Sequence, residues 1–351
     1  MKVTLTTQKR EKPDFAKLGF GRYFTDHMLV MEYNDGAWQE PEIIPYNDFR
    51  LSPATTVLHY GQGIFDGLKA YKNAEGKITL FRPYDNFNRI NNSARRLCMP
   101  PIDVNKMVEC LKELIRIDAD WIPTAPGTSL YIRPTMIGAD PQLGVHPAHH
   151  YLFYIILSPV GSYYAGGLKP TKIMVEEQYV RAPIGGTGEA KCMGNYAASL
   201  LAGELANKKG YDQVLWLDGK EHKYVEEVGS MNMFFVMDGV VRTPALVGSI
   251  LPGITRDSVI KVCKKAGIPV EECRISEDEV LEALERGTLS EAFGSGTAAV
   301  ISPVGVLHAK GRDHIINNNE MGKITSFLYD KITGIQYGRL PDEFGWIVKV
   351  N

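Results

Sequence analysis

Cysteine is scarce and follows no pairing pattern: Cys98, Cys110, Cys192, Cys263 and Cys273 are odd in number and include no Cys-x-x-Cys. In a chain of 351 residues this excludes a disulfide-stapled scaffold and points to reduced thiols in a reducing, cytoplasmic compartment. Long apolar runs are missing too. The most apolar stretch, Tyr151 to Leu157 (YLFYIIL), is too short to cross a bilayer of about 30 Å as a helix, and its β-branched and aromatic content reads as a buried strand. The first residues, MKVTLTTQKREKPDF, have no apolar core of the kind a secretory signal needs. An excess of one charge is also absent. Lys+Arg number 39 against 41 Asp+Glu, a net charge of -2, which supplies no global field for nucleic acid or anionic lipid. Neither nucleic acid nor membrane is expected as a partner, and no internal repeat or low-complexity tract is present.

What is there is the composition of a soluble globular chain, 44% apolar and 23% charged, long enough for two domains with separate cores. Strands are expected over Asp26 to Tyr33, Lys77 to Phe81, Ser129 to Ile137 and His150 to Leu157. One helix runs from Pro83 to Leu97. A second is N-capped by Asp103, with Val104, Met107, Val108, Leu111, Leu114 and Ile115 on one face. The Gly- and Pro-rich stretch Pro159 to Pro170 is the linker candidate. Beyond it come strands over Lys172 to Val180 and Gln213 to Leu217, around a helix from about Tyr196 to Lys209 closed by Gly210. Asp218-Gly219 and Asp238-Gly239 mark hairpin turns. Pro252-Gly253 opens a helix that Gly267 closes, and Ser276 with Glu279 forms a capping box. The fold class is α/β (α+β). The domains divide as 1–160, an interdomain loop 161–169, and 170–351.

Four segments could carry chemistry. In Gly185-Gly186-Thr187-Gly188-Glu189-Ala190-Lys191 the small neighbours let a ligand approach the lysine, and partial burial lowers an ammonium pKa toward a reactive amine. The segment fails the P-loop pattern, since Glu189 and Ala190 intervene and Cys192 follows. A flexible surface loop remains open. Leu251-Pro252-Gly253-Ile254-Thr255-Arg256 is either an anion site at a helix start or an ordinary helix start. Phe293-Gly294-Ser295-Gly296-Thr297-Ala298 is a second anion nest or a plain Gly-Ser loop. Finally, Glu226-Glu227 runs into the apolar Met233-Phe234-Phe235-Val236; a carboxylate buried there needs a cationic partner, and a carboxylate exposed at a turn remains open.

These segments, in this order, resemble the class IV pyridoxal-phosphate aminotransferases, most closely the branched-chain amino-acid aminotransferases of the animal type. The resemblance covers nearly the whole chain. It includes FGRYFTDHMLVMEY (Phe20 to Tyr33), LHYGQGIFDGLKAY (Leu58 to Tyr71), LFRPYDNFNRINNSARRLCMP (Leu80 to Pro100) and SLYIRPTMIG (Ser129 to Gly138). It continues through YVRAPIGGTGEAKCMGNYAASL, EVGSMNMFFV, LPGITR and FGSGTA. It implies the two-domain class IV fold, with pyridoxal 5'-phosphate at the domain interface. It also implies a homodimer that acts on leucine, isoleucine and valine and on their 2-oxo acids.

By this resemblance Lys191 holds the cofactor and moves the proton. Tyr196 hydrogen-bonds its O3′, and Glu227 faces its ring nitrogen. Arg89, the backbone at Ile254 and Thr255, and Thr297 hold its phosphate. The substrate pocket is formed by Phe20, Tyr60, Phe65, Tyr131 and Tyr163, closed by Ser230 and Ala298, with Arg133 aiding 2-oxoglutarate. The rivals of the same fold are a D-amino-acid aminotransferase and an aminodeoxychorismate lyase; the rival of another class is a cofactor-free α/β protein that binds phosphate. Animal members have Cys-x-x-Cys after the last block, where this chain has Ala299 and Ser302, so no vicinal disulfide switch is expected. The cluster His146-Pro147-Ala148-His149-His150 has metal-like spacing, but no nearby carboxylate or cysteine in the sequence completes it, so no metal is expected.

Overall fold

The computed structural model describes residues 1–161 and 168–351. The expected linker 161–169, and with it Tyr163, lies mostly outside the described residues. The chain forms two compact units: Met1–Ala165 with Ala190–Met193 and Ile335–Asn351, and Gly166–Glu189 with Gly194–Gly334.

The first unit is a sheet covered by helices. Its main path runs Lys2–Val3, Glu42–Pro45, His27–Asn34, Tyr151–Val160, Ser129–Gly138, Leu68–Lys72, Ile78–Phe81 and Ile347–Lys349, with Ala37–Trp38 beside His27–Asn34 and Gly63–Phe65 beside Ser129–Gly138. All neighbours are antiparallel except the first pair. Tyr151–Val160 lies centrally, which is why its sequence is almost unbroken apolar. The last strand comes from the chain's far end and pairs with Ile78–Phe81. Helix Pro83–Arg96 begins on proline, whose missing N–H costs nothing in the first turn. Helix Val104–Ile117 is capped by the Asp103 side chain, which accepts from Lys106 N at 3.0 Å. Their apolar faces bury Phe87, Ile90, Leu111 and Leu114 in one core with Leu29, Leu130, Ile132 and Phe153.

In Ser129–Gly138 the two-residue period turns Leu130, Ile132 and Met136 into that core and places Tyr131, Arg133 and Thr135 on the other face. The partners of that second face are Lys69, opposite Tyr131, and Phe65, opposite Thr135.

The second unit holds a sheet ordered Val225–Val228, Gln213–Leu217, Thr171–Glu176, Val300–Ala309, Leu289–Gly296, Met231–Met237, Val240–Pro244 and Val270–Cys273, with Arg312–Ile315 beside Val300–Ala309. Val225–Val228 also pairs with Met231–Met237, so the first six strands close into a ring. Parallel pairs flank Thr171–Glu176 on both sides. Phe234 and Phe293 stack at 4.9 Å inside. Asp238 and Gly239 both have positive φ, 50° and 77°, as a two-residue hairpin turn of the favoured hand requires. Ser276 and Glu279 make the expected capping box on helix Glu277–Glu285.

Three local expectations need correction. The helix expected from about Tyr196 to Lys209 is two helices, Met193–Ala198 and Leu200–Lys208. At the break, both the amide and the hydroxyl of Ser199 donate to Tyr196 O, at 3.2 and 2.8 Å, which tightens the turn. The hairpin expected at Asp218-Gly219 is present, with Gln213–Leu217 antiparallel to Val225–Val228, but its connection is longer than a two-residue turn, because the strands end at Leu217 and restart at Val225. The Asp218 carboxylate instead organises the longer loop by accepting from the amides of Lys220, Glu221, Lys223 and Tyr224. Burial opposes its ionisation, yet those four bonds win and hold its pKa at about 2. The third is the strand expected to Val180, which ends at Glu176, where the Glu176 side chain turns back to accept from Gln178 N and Tyr179 N.

Candidate active site

Lys191 belongs to the first unit, where Ala190–Met193 sits as a short insertion. Its backbone is fastened on both sides: its N–H donates to Ser93 Oγ at 2.9 Å and its carbonyl accepts from Phe65 N at 3.1 Å. The next residue, Cys192, bridges Ile64. This is not a flexible surface loop. The ammonium stands 5.0 Å from the centre of the Phe65 ring. Burial first, then the nearby Arg89 guanidinium, lowers its pKa to about 8, against the opposing pull of Asp66.

Asp66 is the anion of this region and is fully buried. Arg89 forks onto it, Nε to Oδ2 and Nη2 to Oδ1, both at 2.8 Å. Asn86 Nδ2 and Gly67 N donate to Oδ1 as well, at 2.8 and 2.7 Å. Burial would raise the Asp66 pKa, but Arg89, Lys191 and Asn86 outweigh it and hold the carboxyl below its usual value. One carboxylate therefore serves Arg89 and Lys191, and the region has positive charge to spare. Arg133 adds to it. Its guanidinium lies 4.5 Å over Phe65 and 5.2 Å from the centre of Tyr131, Nη2 donates to the Tyr131 hydroxyl at 3.0 Å, and buried Nε has no partner among the described residues. Phe20 packs edge-on to Tyr131 at 4.9 Å. Gly67 is required here, because a Cβ would fall 2.0 Å from the Tyr131 hydroxyl. Phe20, Phe65, Arg89, Tyr131, Arg133 and Lys191 are thus assembled together. Tyr60 is exposed at the end of helix Thr56–Tyr60, and its hydroxyl accepts from Gly144 N at 2.8 Å.

The second unit carries the opposite excess. Glu226 and Glu227 are both buried on Val225–Val228 and, by the strand period, point to opposite faces. Glu227 Oε1 accepts from Leu251 N at 2.7 Å and lies 3.2 Å from Arg181 Nη2. The same Arg181 nitrogen donates to Gly188 O at 3.0 Å and to Ser249 O. Ser249 Oγ donates to Glu226 Oε1, while Glu226 Oε2 is buried without a partner among the described residues. Burial pushes the Glu226 pKa up to about 7, with Ser249 and Arg181 pulling the other way. Two carboxylates here lie under the influence of one guanidinium.

The anion-type turns also lie in this unit. Helix Ile254–Lys265 starts after Gly253 with no side chain capping it, and Ile254 and Thr255 occupy its first turn, where helical N–H groups have no intrahelical acceptor. The turn before it is fixed by Asn232, whose Nδ2 donates to Leu251 O at 2.9 Å. Gly253 makes room for that amide, since a Cβ would meet Asn232 Oδ1 at 1.9 Å. In the other segment Ser295 Oγ is buried without a partner among the described residues, and Thr297 and Ala298 lie partly buried in the turn after Leu289–Gly296. The turn ends on Val300 at φ 62°, a costly conformation for a β-branched residue of the kind that clusters at functional sites. Tyr196 is half-buried on Met193–Ala198, and Ser230 is exposed in the turn before Met231–Met237. The loop ahead of Lys191 is held by Asn195, which donates to Thr187 O at 2.8 Å and accepts from its hydroxyl at 2.6 Å.

Sequence reasoning did not name Asp66, Arg181 or Asn232 as site residues. The available signal for Asp66 is a carboxylate directly after Phe65, the one acidic residue in the block Leu58 to Tyr71. The reading of the histidine cluster also needs correction, because a carboxylate does complete it. Asp140 lies with His146 and His149, their ligand-type atoms within 4.8 Å of one another. Asp140 is nevertheless already used: its oxygens accept from His149 N and His150 N, closing the loop between the two central strands.

Each unit, taken by itself, carries groups that fit the chemistry of pyridoxal phosphate. In the first unit an amine of lowered pKa suits its carbonyl and surplus cations suit its phosphate. In the second a helix start without a side-chain cap suits a phosphate, a buried carboxylate suits a protonated ring nitrogen, and the buried Ser295 hydroxyl leaves hydrogen-bonding capacity open.

Comparison with known proteins agrees. Residues 63–306 match the family model described as amino-transferase class IV. A Staphylococcus epidermidis protein named "Probable branched-chain-amino-acid aminotransferase" is 59% identical, over 97% of this chain and 96% of its own. The "Branched-chain-amino-acid aminotransferase 2" of Bacillus subtilis is 56% identical, over 100% and 97%. Among solved structures, the branched-chain amino acid aminotransferase of Escherichia coli has a TM-score of 0.74 at 30% identity, covering 93% of this chain and 99% of that one.

Proposed function

This chain belongs to the class IV aminotransferases, and from that premise we propose how its own residues carry the work. The reaction is branched-chain amino-acid transamination with pyridoxal phosphate, between L-leucine, L-isoleucine or L-valine and 2-oxoglutarate, in keeping with the names of relatives at 56–59% identity over nearly the full length. When bound, the cofactor supplies an electron sink for the negative charge left at the substrate Cα.

The observation that carries the residue assignment is the Lys191 amine, fastened through its backbone and set at a pKa of about 8. An amine in that range is in part unprotonated near neutral pH, so Lys191 would be the residue that holds the cofactor at its carbonyl, and its Nζ would carry the proton taken from the substrate Cα. Arg89, the N–H groups at Ile254 and Thr255, and Thr297 hold the phosphate. Asp66 positions Arg89 by its two-bond fork. Glu227 would hold the ring nitrogen in its protonated form, and Tyr196 would donate to O3′. Arg181 and Leu251 N orient Glu227. Phe20, Phe65 and Tyr131 give the apolar wall for a branched side chain, with Tyr60, Tyr163, Ser230 and Ala298 completing it, and Arg133 offers a cation to a second substrate carboxylate. A wall of this kind separates aliphatic chains only modestly, by about 1–3 kcal/mol per methylene. The reading extends to a homodimer acting in the cytoplasm, and the free state of all five cysteines supports the compartment. No helix among the described residues is long and apolar enough to cross a membrane.

The test is a set of half-reactions on the purified holoenzyme. Leucine, isoleucine and valine should bleach the cofactor's visible band far more efficiently than D-alanine does. Preference for the D-amino acid would overturn the substrate reading, and a protein that takes up no cofactor would overturn the whole of it.

A further inference from the structure

The proposed reaction uses Glu227 and leaves its neighbour idle, although Glu226 is the more unusual carboxylate. Glu226 reaches a cavity of about 230 Å³ that lies wholly within the second unit. Its walls include Ile184, Pro244, Val247 and Ile250, and its polar groups include Tyr224 and Arg274. We propose that this cavity binds a free aliphatic L-amino acid, with Glu226 receiving its ammonium group, the apolar wall its side chain and Arg274 its carboxylate.

Three observations meet here. First, Glu226 is 3% exposed, and its Oε2 has no hydrogen-bond partner among the described residues while Oε1 takes the Ser249 hydroxyl. A buried carboxylate oxygen left unmatched is costly, and an ammonium donor is the group that relieves it best. Second, Tyr224 and Glu226 are two residues apart in one extended segment, so they share a face. The Arg274 guanidinium lies 3.5 Å over the Tyr224 ring, with Nη2 3.3 Å from Glu221 at the surface. Of the other charged lining residues, Asp218 is taken up by four backbone amides and Glu221 faces Arg274, so Glu226 is the carboxylate with an open oxygen and Arg274 and Lys220 are the cations of a lining that a zwitterion can match. Third, Ile184, Val225, Pro244, Ala245, Val247 and Ile250 give the lining an aliphatic side, which favours a hydrocarbon side chain there. Burial sets the empty-cavity Glu226 near pKa 7, and a bound ammonium favours its ionised form.

Binding is independent of catalysis, but its use as a sensor of the amino acids being made or consumed rests on the transaminase reading. Glu226 and Glu227 share one strand and are joined through Ser249 and Arg181, so occupancy on one face can bias the carboxylate on the other.

The experiment uses holoenzyme reconstituted with pyridoxamine phosphate, which has no carbonyl to react with an added amino acid. Calorimetry with L-leucine should show saturable binding of about one leucine per chain. Binding should weaken by about tenfold or more in Glu226→Gln, as loss of a charged hydrogen bond predicts, and likewise in Val247→Trp, which fills the cavity from its exposed rim. Absence of saturable binding to the wild type, or binding undiminished in both folded variants, overturns the proposal. The same preparation in its pyridoxal phosphate form, given leucine, reports the catalytic reading separately through the visible band.

Discussion

The two charged regions are built on opposite plans. Around Lys191 one buried carboxylate, Asp66, answers for Arg89 and Lys191, with Arg133 close by. On Val225–Val228 two buried carboxylates lie near one guanidinium, Arg181. In both regions burial is the first cause of the shift: it lowers the Lys191 pKa, helped by Arg89 and opposed by Asp66, and it raises the Glu226 pKa, opposed by Ser249 and Arg181 and helped by Glu227. The surplus of positive charge in the first region suits phosphate or carboxylate, and the surplus of negative charge in the second suits a protonated nitrogen. Among the described residues the first region sets Arg89, Lys191 and Arg133 against Asp66, and the second sets Glu226 and Glu227 against Arg181.

The largest expected effect comes from removing the reacting amine. Lys191→Ala should keep its fold and lose turnover by about 10⁴-fold or more, since attachment and proton transfer are both lost; steady-state rates on cofactor-loaded protein check it. Next, Asp66→Asn strips the first region of its one anion. It should cost about 3–5 kcal/mol of stability by leaving Arg89 buried without its counter-ion, and it should depress the Lys191 pKa below its present value of about 8. Denaturant melts and the pH dependence of amine modification read the two parts, and unchanged values in both would break the contrast.

Glu227→Gln acts on the other plan. Cofactor binding should persist while turnover falls by about 10²–10³-fold, the scale for one charge-stabilising group. Near-normal turnover with an unchanged spectrum would shift the role to Glu226. The smallest effect concerns Glu226 itself. Its folded pKa of about 7 lies above the ordinary value of 4.5, so the folded state binds the proton more tightly than the unfolded chain does. The stability this contributes is full below about pH 4.5 and is lost as pH rises through about 7. Glu226→Gln should remove that slope, gaining about 2–4 °C in Tm relative to wild type at pH 8 compared with pH 5. Parallel melts across that range would show it.

Local structure was legible wherever neighbours in sequence decide it. The Asp103 cap, the Ser276–Glu279 box, the Asp238-Gly239 turn and the buried strand through YLFYIIL follow from period and capping alone. The family blocks carried the fold, and Phe20, Phe65, Tyr131 and Arg133, named from them, meet in one cluster. What stayed hidden depends on distance along the chain. Asp66 meets Arg89 across 23 positions, Asn232 fixes a turn 19 positions on, and Ile347–Lys349 returns to Ile78–Phe81. No periodicity encodes such pairings. Asp140 was overlooked for another reason: it lies only six and nine positions from His146 and His149, but it sits before the loop, outside the histidine run, and joins them when the loop folds back.

Lys69 shows why the central assignment cannot rest on acidity. It sits opposite Tyr131, and burial lowers its pKa to about 8, as for Lys191. What separates the two is placement: Lys191 is fastened beside Phe65 within the influence of Arg89 and Asp66. Borohydride reduction of the holoenzyme, followed by peptide mapping, decides between them. The pyridoxyl group should appear on the peptide containing Lys191, and its appearance on Lys69 or any other lysine would contradict the account.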